Sequence, residues 1–231
     1  MITGMSVIDT TLMRRIGGQL GSNPGGIYQD ESGQRYYVKT LESPAHACNE
    51  WLAAQLYLLA GAPTLNYVRT RAPDQIATEL VSLDKRQVAH LSDIERRQAR
   101  HWLGVHAWTA NWDAAGFHGD NQGVAQGRVL TLDVGGALDF RARGDPKGRA
   151  FGCQVGELDS LRANPDNPHA CSLFGGMDQD ELAAAICVVT RLPDDRIRAL
   201  ILAAGGRTAL ADKMIARKGD MARRLAGLVA A

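Results

Sequence analysis

The sequence lacks the features that mark several large classes of protein. Its four cysteines form no Cys-x-x-Cys pair, so we expect reduced thiols rather than a disulfide framework or a zinc site. No apolar run reaches about 18 residues, and the N-terminus has no basic-then-apolar pattern, so we expect neither a membrane span nor a secretory signal. A formal net charge of +1 argues against a nucleic-acid-binding protein. These absences favour a cytoplasmic monomer, although a protein delivered into another cell as an effector would share them.

A P-loop is also absent, although residues 17–26 form a glycine-rich stretch, Gly-Gly-Gln-Leu-Gly-Ser-Asn-Pro-Gly-Gly. Lys39 comes too late in the chain to complete the pattern Gly-x-x-x-x-Gly-Lys-Ser/Thr. The stretch is compatible with a flexible turn whose backbone amides approach phosphates, and equally with a plain surface turn. Its candidate nucleotide-binding residues are Gly21, Ser22, Asn23, Gly25 and Gly26.

Lys39 and Glu50 are the next candidates for a site. Two strand-like runs, residues 26–30 and 34–39, flank a short turn and predict a hairpin that ends at Lys39. Ser43 and Pro44 then predict the N-cap and the first residue of a helix that ends near residue 60. The ammonium of Lys39 could reach phosphates, and Glu50 in that helix could fix its direction. A solubility lysine on an edge strand and a solvated helical glutamate are the alternatives.

A group of carboxylates and an amide follows in the second half of the chain. Asp113 opens a loop in the run Asn111-Trp-Asp113, and Asp133 lies between an apolar strand and two glycines. Asp113 could accept a proton from a hydroxyl group. Asn121 and Asp133 offer the oxygen ligands that Mg²⁺ prefers, with Mn²⁺ as the alternative ion. Asp120 competes with Asn121 as the metal ligand, and ordinary turn chemistry is the alternative reading of the whole loop.

These residues resemble a known active-site pattern. Asn111-Trp-Asp113 followed by Asp120-Asn121 and Asp133-Val-Gly is similar to the run in HipA-like kinases and type II phosphatidylinositol 4-kinases. Both belong to the atypical branch of the protein-kinase-like superfamily. The whole chain also looks like kinase-like modules of bacterial and phage-associated polypeptides, which share the Gly-Ser-Asn-Pro-Gly-Gly turn, the Tyr-Val-Lys strand and the Asn-Trp-Asp loop. The sequence departs from ordinary protein kinases because it lacks His-Arg-Asp, Asp-Phe-Gly and Ala-Pro-Glu.

The resemblance implies a role for each candidate residue. It implies that Lys39 contacts the nucleotide phosphates and that Glu50 is the helical partner of Lys39. Asp113 would be the catalytic aspartate, and Asn121 and Asp133 would bind Mg²⁺. It also implies that residues 78–82 form the hinge between two lobes, where Glu79 and Val81 would touch adenine.

We therefore expect an α+β protein with a minimal two-lobed protein-kinase-like fold. A β-rich N-lobe would occupy residues 1–82 and a helical C-lobe residues 83–231. The expected function is transfer of a phosphoryl group from Mg-ATP to a hydroxyl group of a protein substrate. Transfer of AMP, phosphorylation of a lipid or small molecule, and a catalytically inactive nucleotide-binding scaffold stay open as alternatives.

Three local expectations complete the prediction. Residues 111–127 should form a loop, and residues 140–177 a long irregular segment, because both are rich in turn-forming residues. One stripe of the first helix should be buried, namely Ala47, Trp51, Ala54 and Leu58. The first ten residues of the irregular segment carry four cations that would either bind an anion or lie in solvent: Arg141, Arg143, Lys147 and Arg149.

Overall fold

The structure is a computed structural model that describes residues 7–229; six of the eight strands described end by residue 79, and seven of the eight α-helices described begin after residue 92. The strands are Val7–Ile8 (β1), Arg14–Gly17 (β2), Gly25–Gln29 (β3), Arg35–Thr40 (β4), Tyr67–Thr70 (β5), Gln75–Glu79 (β6), Gln122–Ala125 (β7) and Arg128–Thr131 (β8). The helices are Pro44–Ala60 (α1), Asp93–Arg100 (α2), Leu103–Trp108 (α3), Glu157–Ala163 (α4), Pro168–Phe174 (α5), Gln179–Thr190 (α6), Asp194–Ala203 (α7) and Thr208–Val229 (α8).

The first six strands form one mixed sheet in the order β1-β5-β6-β4-β3-β2. β1 pairs with β5 in parallel, and the remaining neighbours are antiparallel. The expected hairpin is β3–β4, whose turn is closed by Asp30, because its carboxylate accepts hydrogen bonds from Ser32 and from the backbone of Gln34. Lys39 therefore lies near the end of a central strand, paired with β3 on one side and β6 on the other. This position excludes the edge-strand alternative.

Helix α1 begins and ends where the sequence predicts. The Ser43 hydroxyl accepts a hydrogen bond from the His46 amide, and Gly61 ends the helix with a left-handed backbone at φ 75°. The helix packs against β5 and β6 on one side and against α7 on another. The stripe prediction is wrong at Leu58, which is 69% exposed. Because the helix is covered on more than one side, only a narrow strip that includes Leu58 faces solvent.

The expected loop at 111–127 is wrong in its last residues, because β7 and β8 form a hairpin of their own. Gln126 and Gly127 connect the two strands with positive φ angles of 50° and 74°. Two successive left-handed residues are typical of a tight hairpin turn. The Gln-Gly dipeptide was the available signal, but the short run Gln122–Ala125 contains a single β-branched residue, Val124, which is too little to mark a strand.

The expected irregular segment at 140–177 is also wrong in part, because it contains α4 and α5. Asn167 caps α5 by accepting a hydrogen bond from the Ala170 amide, and Pro168 occupies the first helical position. Both are recognisable helix-start signals. The two helices are only one to two turns long and therefore show no clear hydrophobic period, which is why composition alone pointed to irregular structure.

A single large hydrophobic core joins α1 of the first half of the chain to the helices of the second half. The sheet on one side and the helices on the other give the α+β two-lobed architecture expected from the sequence, and this fold class is confirmed. The predicted lobe boundary at residue 82 falls in the connection between β6 and α2 and stays a prediction. Within residues 7–229, no helix is both long and apolar enough to cross a membrane.

Candidate active site

Lys39, Glu50 and Asp133 form the centre of the candidate site. Lys39 Nζ lies 2.8 Å from Glu50 Oε1 and 2.8 Å from Asp133 Oδ2. Strand β4 supplies the lysine and α1 the glutamate, while the aspartate follows β8. The Glu50 side chain is only 1% exposed, whereas that of Asp133 is 37% exposed. The solvated-glutamate alternative is therefore wrong, and Asp133 is the most accessible member of the group.

The ionisation of this group follows from its burial and from its own charges. Burial alone would lower the pKa of Lys39, but the carboxylates of Asp133 and Glu50 hold it well above its ordinary value. Burial opposes ionisation of Asp133 as well, yet the Lys39 ammonium and the Gly135 amide bring its pKa below the usual range. Burial raises the pKa of Glu50, and Lys39 opposes that rise. A charged lysine thus links two carboxylates at the junction of the lobes.

The glycine-rich stretch forms the turn between β2 and β3, close to Lys39. Gly25 pairs directly with Lys39 across the β3–β4 ladder. A Cβ at Gly25 would lie 2.6 Å from the Val38 carbonyl oxygen, so glycine is required there. The Tyr37 hydroxyl accepts hydrogen bonds from the backbone amides of Leu20 and Gly21 and anchors the turn. The turn is therefore anchored to the sheet at Tyr37 and Gly25, while residues 18–22 are exposed to solvent.

A cavity of about 480 Å³ opens beneath this turn. Ser22 and Asn23 line it from the turn, and Arg143 lines it from the segment that follows Asp133. Gly26, the second residue of β3, lies against the Arg15 side chain, whose Nε would be 2.6 Å from a Cβ at this position. Of the predicted nucleotide-binding residues of the glycine-rich stretch, Ser22 and Asn23 line this cavity, and their role stays a prediction.

Asp113 and Asn121 form a second pair. Asn121 Nδ2 donates to the Asp113 backbone oxygen at 2.7 Å and to its Oδ2 at 3.0 Å. The Asp113 amide in turn donates to Asn111 Oδ1 at 3.2 Å. Burial and the nearby charge of Asp133 raise the pKa of Asp113 to about 6, against the hydrogen bond from Asn121. Local hydrogen bonds therefore fix a carboxyl group whose pKa lies near neutrality.

The structure separates Asp120 from Asn121. Asp120 is exposed, and its carboxylate lies against the tight turn at Gly116, where a Cβ would be 2.5 Å from Asp120 Oδ1. Asn121, by contrast, is half-buried and bound to Asp113, and its Oδ1 accepts no hydrogen bond from residues 7–229. Of the two candidates, Asn121 presents an oxygen beside the site.

The two halves of the site are packed together through a glycine. Gly136 follows Asp133 closely in the chain, and a Cβ at this position would lie 3.1 Å from the Cβ of Asp113. A Cβ at the preceding Gly135 would lie 2.8 Å from Glu50 Oε2. A side chain at either glycine would therefore crowd Asp113 or Glu50, a close approach that the Asp-Val-Gly-Gly sequence suggested only as backbone room.

The predicted hinge residues lie at and after the end of β6. Glu79 is the last residue of that strand and is half-buried, with its amide bonded to the Asn66 carbonyl oxygen. Val81 lies beyond the strand and is 38% exposed, and within the described chain its amide makes no hydrogen bond. A free backbone donor at the connection between the lobes is compatible with adenine binding.

Several side chains that hold the backbone around the site carry no recognisable signal in the sequence. Asn49 donates to the Ala137 carbonyl oxygen at 2.9 Å and accepts from the Asp139 amide at 3.0 Å. The Tyr57 hydroxyl accepts from Asn111 Nδ2 at 3.0 Å. The prediction that Lys147 binds anions or lies in solvent is wrong, because it is buried and bonded to backbone carbonyls. All of these contacts join residues that are far apart in sequence.

The donor set suits a hard divalent cation that shares its coordination with phosphate and water. No cluster of three or more His, Cys, Asp or Glu side chains that could hold a metal ion alone occurs in the described part of the chain. Mg²⁺ characteristically uses one or two protein oxygens together with substrate phosphates and waters. Asp133 and the free amide oxygen of Asn121 fit that requirement.

Together the sheet, the α1 ion pair and the helical half define a protein-kinase-like fold. A solved structure with this fold is that of the Helicobacter pylori proinflammatory kinase CtkA, with a TM-score of 0.64 and 12% identity, covering 96% of this chain and 99% of that chain. The predicted resemblance to the protein-kinase-like superfamily is confirmed at the level of the fold. No protein-family model matches the sequence, and the search of curated proteins found no match.

Two further solved structures are less similar. The macrolide 2'-phosphotransferase MphH of Brachybacterium faecium has a TM-score of 0.38 and 14% identity, over 93% of this chain and 94% of that chain. The choline kinase LicA of Streptococcus pneumoniae has a TM-score of 0.37 and 12% identity, over 94% of this chain and 96% of that chain.

Proposed function

We propose that the protein is a Mg-ATP-dependent phosphotransferase whose acceptor is a hydroxyl group of a protein substrate. The observation that carries the proposal is the contact of Lys39 Nζ with both Glu50 and Asp133, at 2.8 Å each. A lysine oriented by a helical glutamate beside a strand-end aspartate is the arrangement that kinases use for phosphates and metal. The function class and the ATP dependence rest on this geometry and on the fold.

The nucleotide would lie in the cleft between the glycine-rich turn and Asp133. Lys39 would bind the α- and β-phosphates, and its ion pair with Glu50 would hold the ammonium in place. Backbone amides of the turn would approach the phosphates, with Gly21, Ser22 and Asn23 nearest. The free amide of Val81, two residues after Glu79, would bind adenine at the lobe connection.

Asp133 and Asn121 would hold Mg²⁺, with Mn²⁺ as the alternative ion. The ion would neutralise charge on the phosphates when bound. Asp133 is the accessible carboxylate of the central group, and Asn121 carries the free amide oxygen. We propose Asn121 rather than Asp120 as the second ligand, because Asp120 lies in solvent against the Gly116 turn.

Asp113 would orient the acceptor and receive its proton. The acceptor hydroxyl oxygen would form a bond to the γ-phosphorus while the bond from that phosphorus to the β–γ bridging oxygen breaks, so that ADP leaves. The hydroxyl proton would pass to an Asp113 carboxylate oxygen. A pKa of about 6 suits this role, because the group is ionised near pH 7 and still binds a proton readily.

The proposal is tested with ATP labelled on the γ-phosphate, incubated with the purified protein and Mg²⁺, alone and with cell lysate. We expect label on protein from the wild type and none from Asp113→Ala or Asp133→Ala, although Asp113→Ala should still bind ATP. Asp166→Ala is the matched control, because Asp166 is exposed and its carboxylate is unbonded within residues 7–229.

Full transfer by Asp113→Ala would contradict the proposed mechanism. Label retained only from α-labelled ATP would replace phosphoryl transfer with AMP transfer. If the protein binds ATP but no protein becomes labelled, the proposed function is replaced by phosphorylation of a lipid, phosphorylation of a small molecule, or a scaffold role. A hydrolysis assay or a lipid assay would distinguish these functions.

A further inference from the structure

Lys147 is a buried cation to which the mechanism above gives no role. It is only 4% exposed, and its Nζ donates to the carbonyl oxygens of Ala110, Gly136 and Leu138 at 2.7, 2.7 and 2.9 Å. Ala110 directly precedes the segment with the proposed catalytic aspartate. Gly136 and Leu138 follow the proposed metal-binding aspartate. One side chain therefore joins the two segments that must cooperate in phosphoryl transfer.

Two of the three acceptors belong to residues with an unusual backbone. Ala110 has φ 52° and Leu138 has φ 56°, and only one other non-glycine residue in the described chain has a positive φ. A side chain makes this conformation unfavourable, so surrounding contacts must hold it. The Leu138 amide also donates to the Thr109 carbonyl oxygen at 2.7 Å. Lys147 thus bonds to the chain at the points where its backbone is most strained.

The contacts of Lys147 fit an ammonium group. Three carbonyl acceptors require three N–H donors, which only the charged form has. The Trp112 ring centroid lies 4.8 Å from Nζ and the Phe151 centroid 5.9 Å, so aromatic faces cover the cation. Burial lowers the pKa of Lys147 to about 7, and the charge of Glu157 opposes the fall. Like Glu157, the three carbonyl oxygens and the two aromatic rings favour the charged form of Lys147.

We propose that Lys147 is a positioning residue for the phosphotransfer reaction, and that its ammonium fixes the catalytic aspartate relative to the metal-binding aspartate. The inference rests on the proposed function. Lys147 acts on the site through Gly136. Its ammonium binds the Gly136 carbonyl oxygen, and the Cα of Gly136 faces Asp113. Release of that carbonyl would let the Gly136 backbone move against the carboxylate that must receive the proton.

The test compares Lys147→Met, Lys147→Arg and the control Lys213→Met. Methionine keeps the approximate length of the side chain but donates no hydrogen bond, whereas arginine keeps the charge and several N–H donors. Lys213 lies 4.2 Å from the same Phe151 ring, and among the described residues it makes no hydrogen bond to either segment. Each variant is assayed for ATP affinity, for unfolding temperature, and for kcat of phosphate release from Mg-ATP.

We expect Lys147→Met to lower kcat about 10- to 100-fold, because small misplacement of reacting groups has effects of that size. Its affinity for ATP should stay within about twofold of wild type, since Lys147 touches no proposed nucleotide contact. Lys147→Arg should recover part of the lost turnover, and Lys213→Met should keep wild-type turnover. This separation of kcat from affinity is not expected of a residue that only stabilises the fold.

A folded Lys147→Met protein with wild-type kcat would overturn the inference, as would equal losses in Lys213→Met. If Lys147→Met does not fold, Lys147→Arg decides, because it cannot place three donors in the same directions. A lowered kcat with unchanged ATP affinity in that variant supports the inference, and wild-type kcat overturns it. Absence of phosphate transfer or release from the wild-type protein would instead contradict the proposed function.

Discussion

At the scale of single residues, Asp113 is placed where its charge is unfavourable. Its carboxyl group is largely buried, and the charge of Asp133 adds to the cost, so its pKa rises to about 6. The folded state therefore binds a proton at this group more strongly than the unfolded chain does. By linkage, stability is greatest below the unfolded pKa near 4 and falls as the pH rises through about 6. A residue suited to accept a proton thus carries a cost in stability.

We therefore expect Asp113→Asn to be inactive and more stable. Without metal or nucleotide at about pH 8, its free energy of unfolding should exceed that of wild type by about 1 to 3 kcal/mol, from a shift of roughly two pH units. Near pH 4.5 the gain should largely disappear, because wild-type Asp113 is then neutral. Denaturant unfolding at the two pH values measures this, with Asp166→Asn as the exposed control. A variant less stable than wild type at about pH 8 would contradict the expectation.

At the scale of secondary structure, α1 is the element that joins the parts of the site. Glu50 holds the lysine of β4, Asn49 binds the backbone after Asp133, and Tyr57 bonds to Asn111. These three residues lie on the buried part of one helix that the core covers on both sides. The orientation of α1 is therefore fixed at once by contacts with β4, with Asn111 and with the backbone that follows Asp133.

Asn49→Ala tests this linking role. The change leaves the buried Ala137 carbonyl and the Asp139 amide without their partner, so we expect a loss of about 2 to 3 kcal/mol in the free energy of unfolding. The matched control is Gln55→Ala, on the same helix, whose amide makes no hydrogen bond in the described chain. It should change stability by no more than about 0.5 kcal/mol. Equal effects of the two changes in chemical denaturation would refute the role.

The same helix shows which features the sequence could predict. Ser43, Pro44 and Gly61 mark its ends through local hydrogen bonds and backbone conformation, and these signals lie within a few residues. Lys39 and Glu50 could be found because their elements follow directly in the chain. The bonds of Asn49 and Lys147 could not, because they connect positions that only the assembled fold brings together. The exposure of Leu58 was missed for the same reason, since it depends on which faces of α1 are covered.

At the scale of the whole molecule, hydrogen-bonded polar side chains cross the core between the two halves. The Tyr57 hydroxyl lies 2.7 Å from His106 Nδ1, and both residues are fully buried. Burial lowers the pKa of His106 to about 3, so the folded protein keeps this imidazole neutral. The unfolded chain would protonate it below about pH 6.5. One internal histidine therefore links the stability of the entire fold to pH.

We expect His106 to make the free energy of unfolding depend on pH below about 6.5. Below about 6.5 the unfolded state binds a proton that the folded state refuses, which costs stability by about 1.4 kcal/mol per pH unit. The stability difference between wild type and His106→Gln should therefore move in favour of the variant by about 2 kcal/mol from pH 7.5 to 5. Other groups, Asp113 included, titrate in both proteins and cancel in this difference. His90→Gln, at an exposed histidine, is the control variant. A difference that stays constant across this range would mean that His106 is protonated in the folded core.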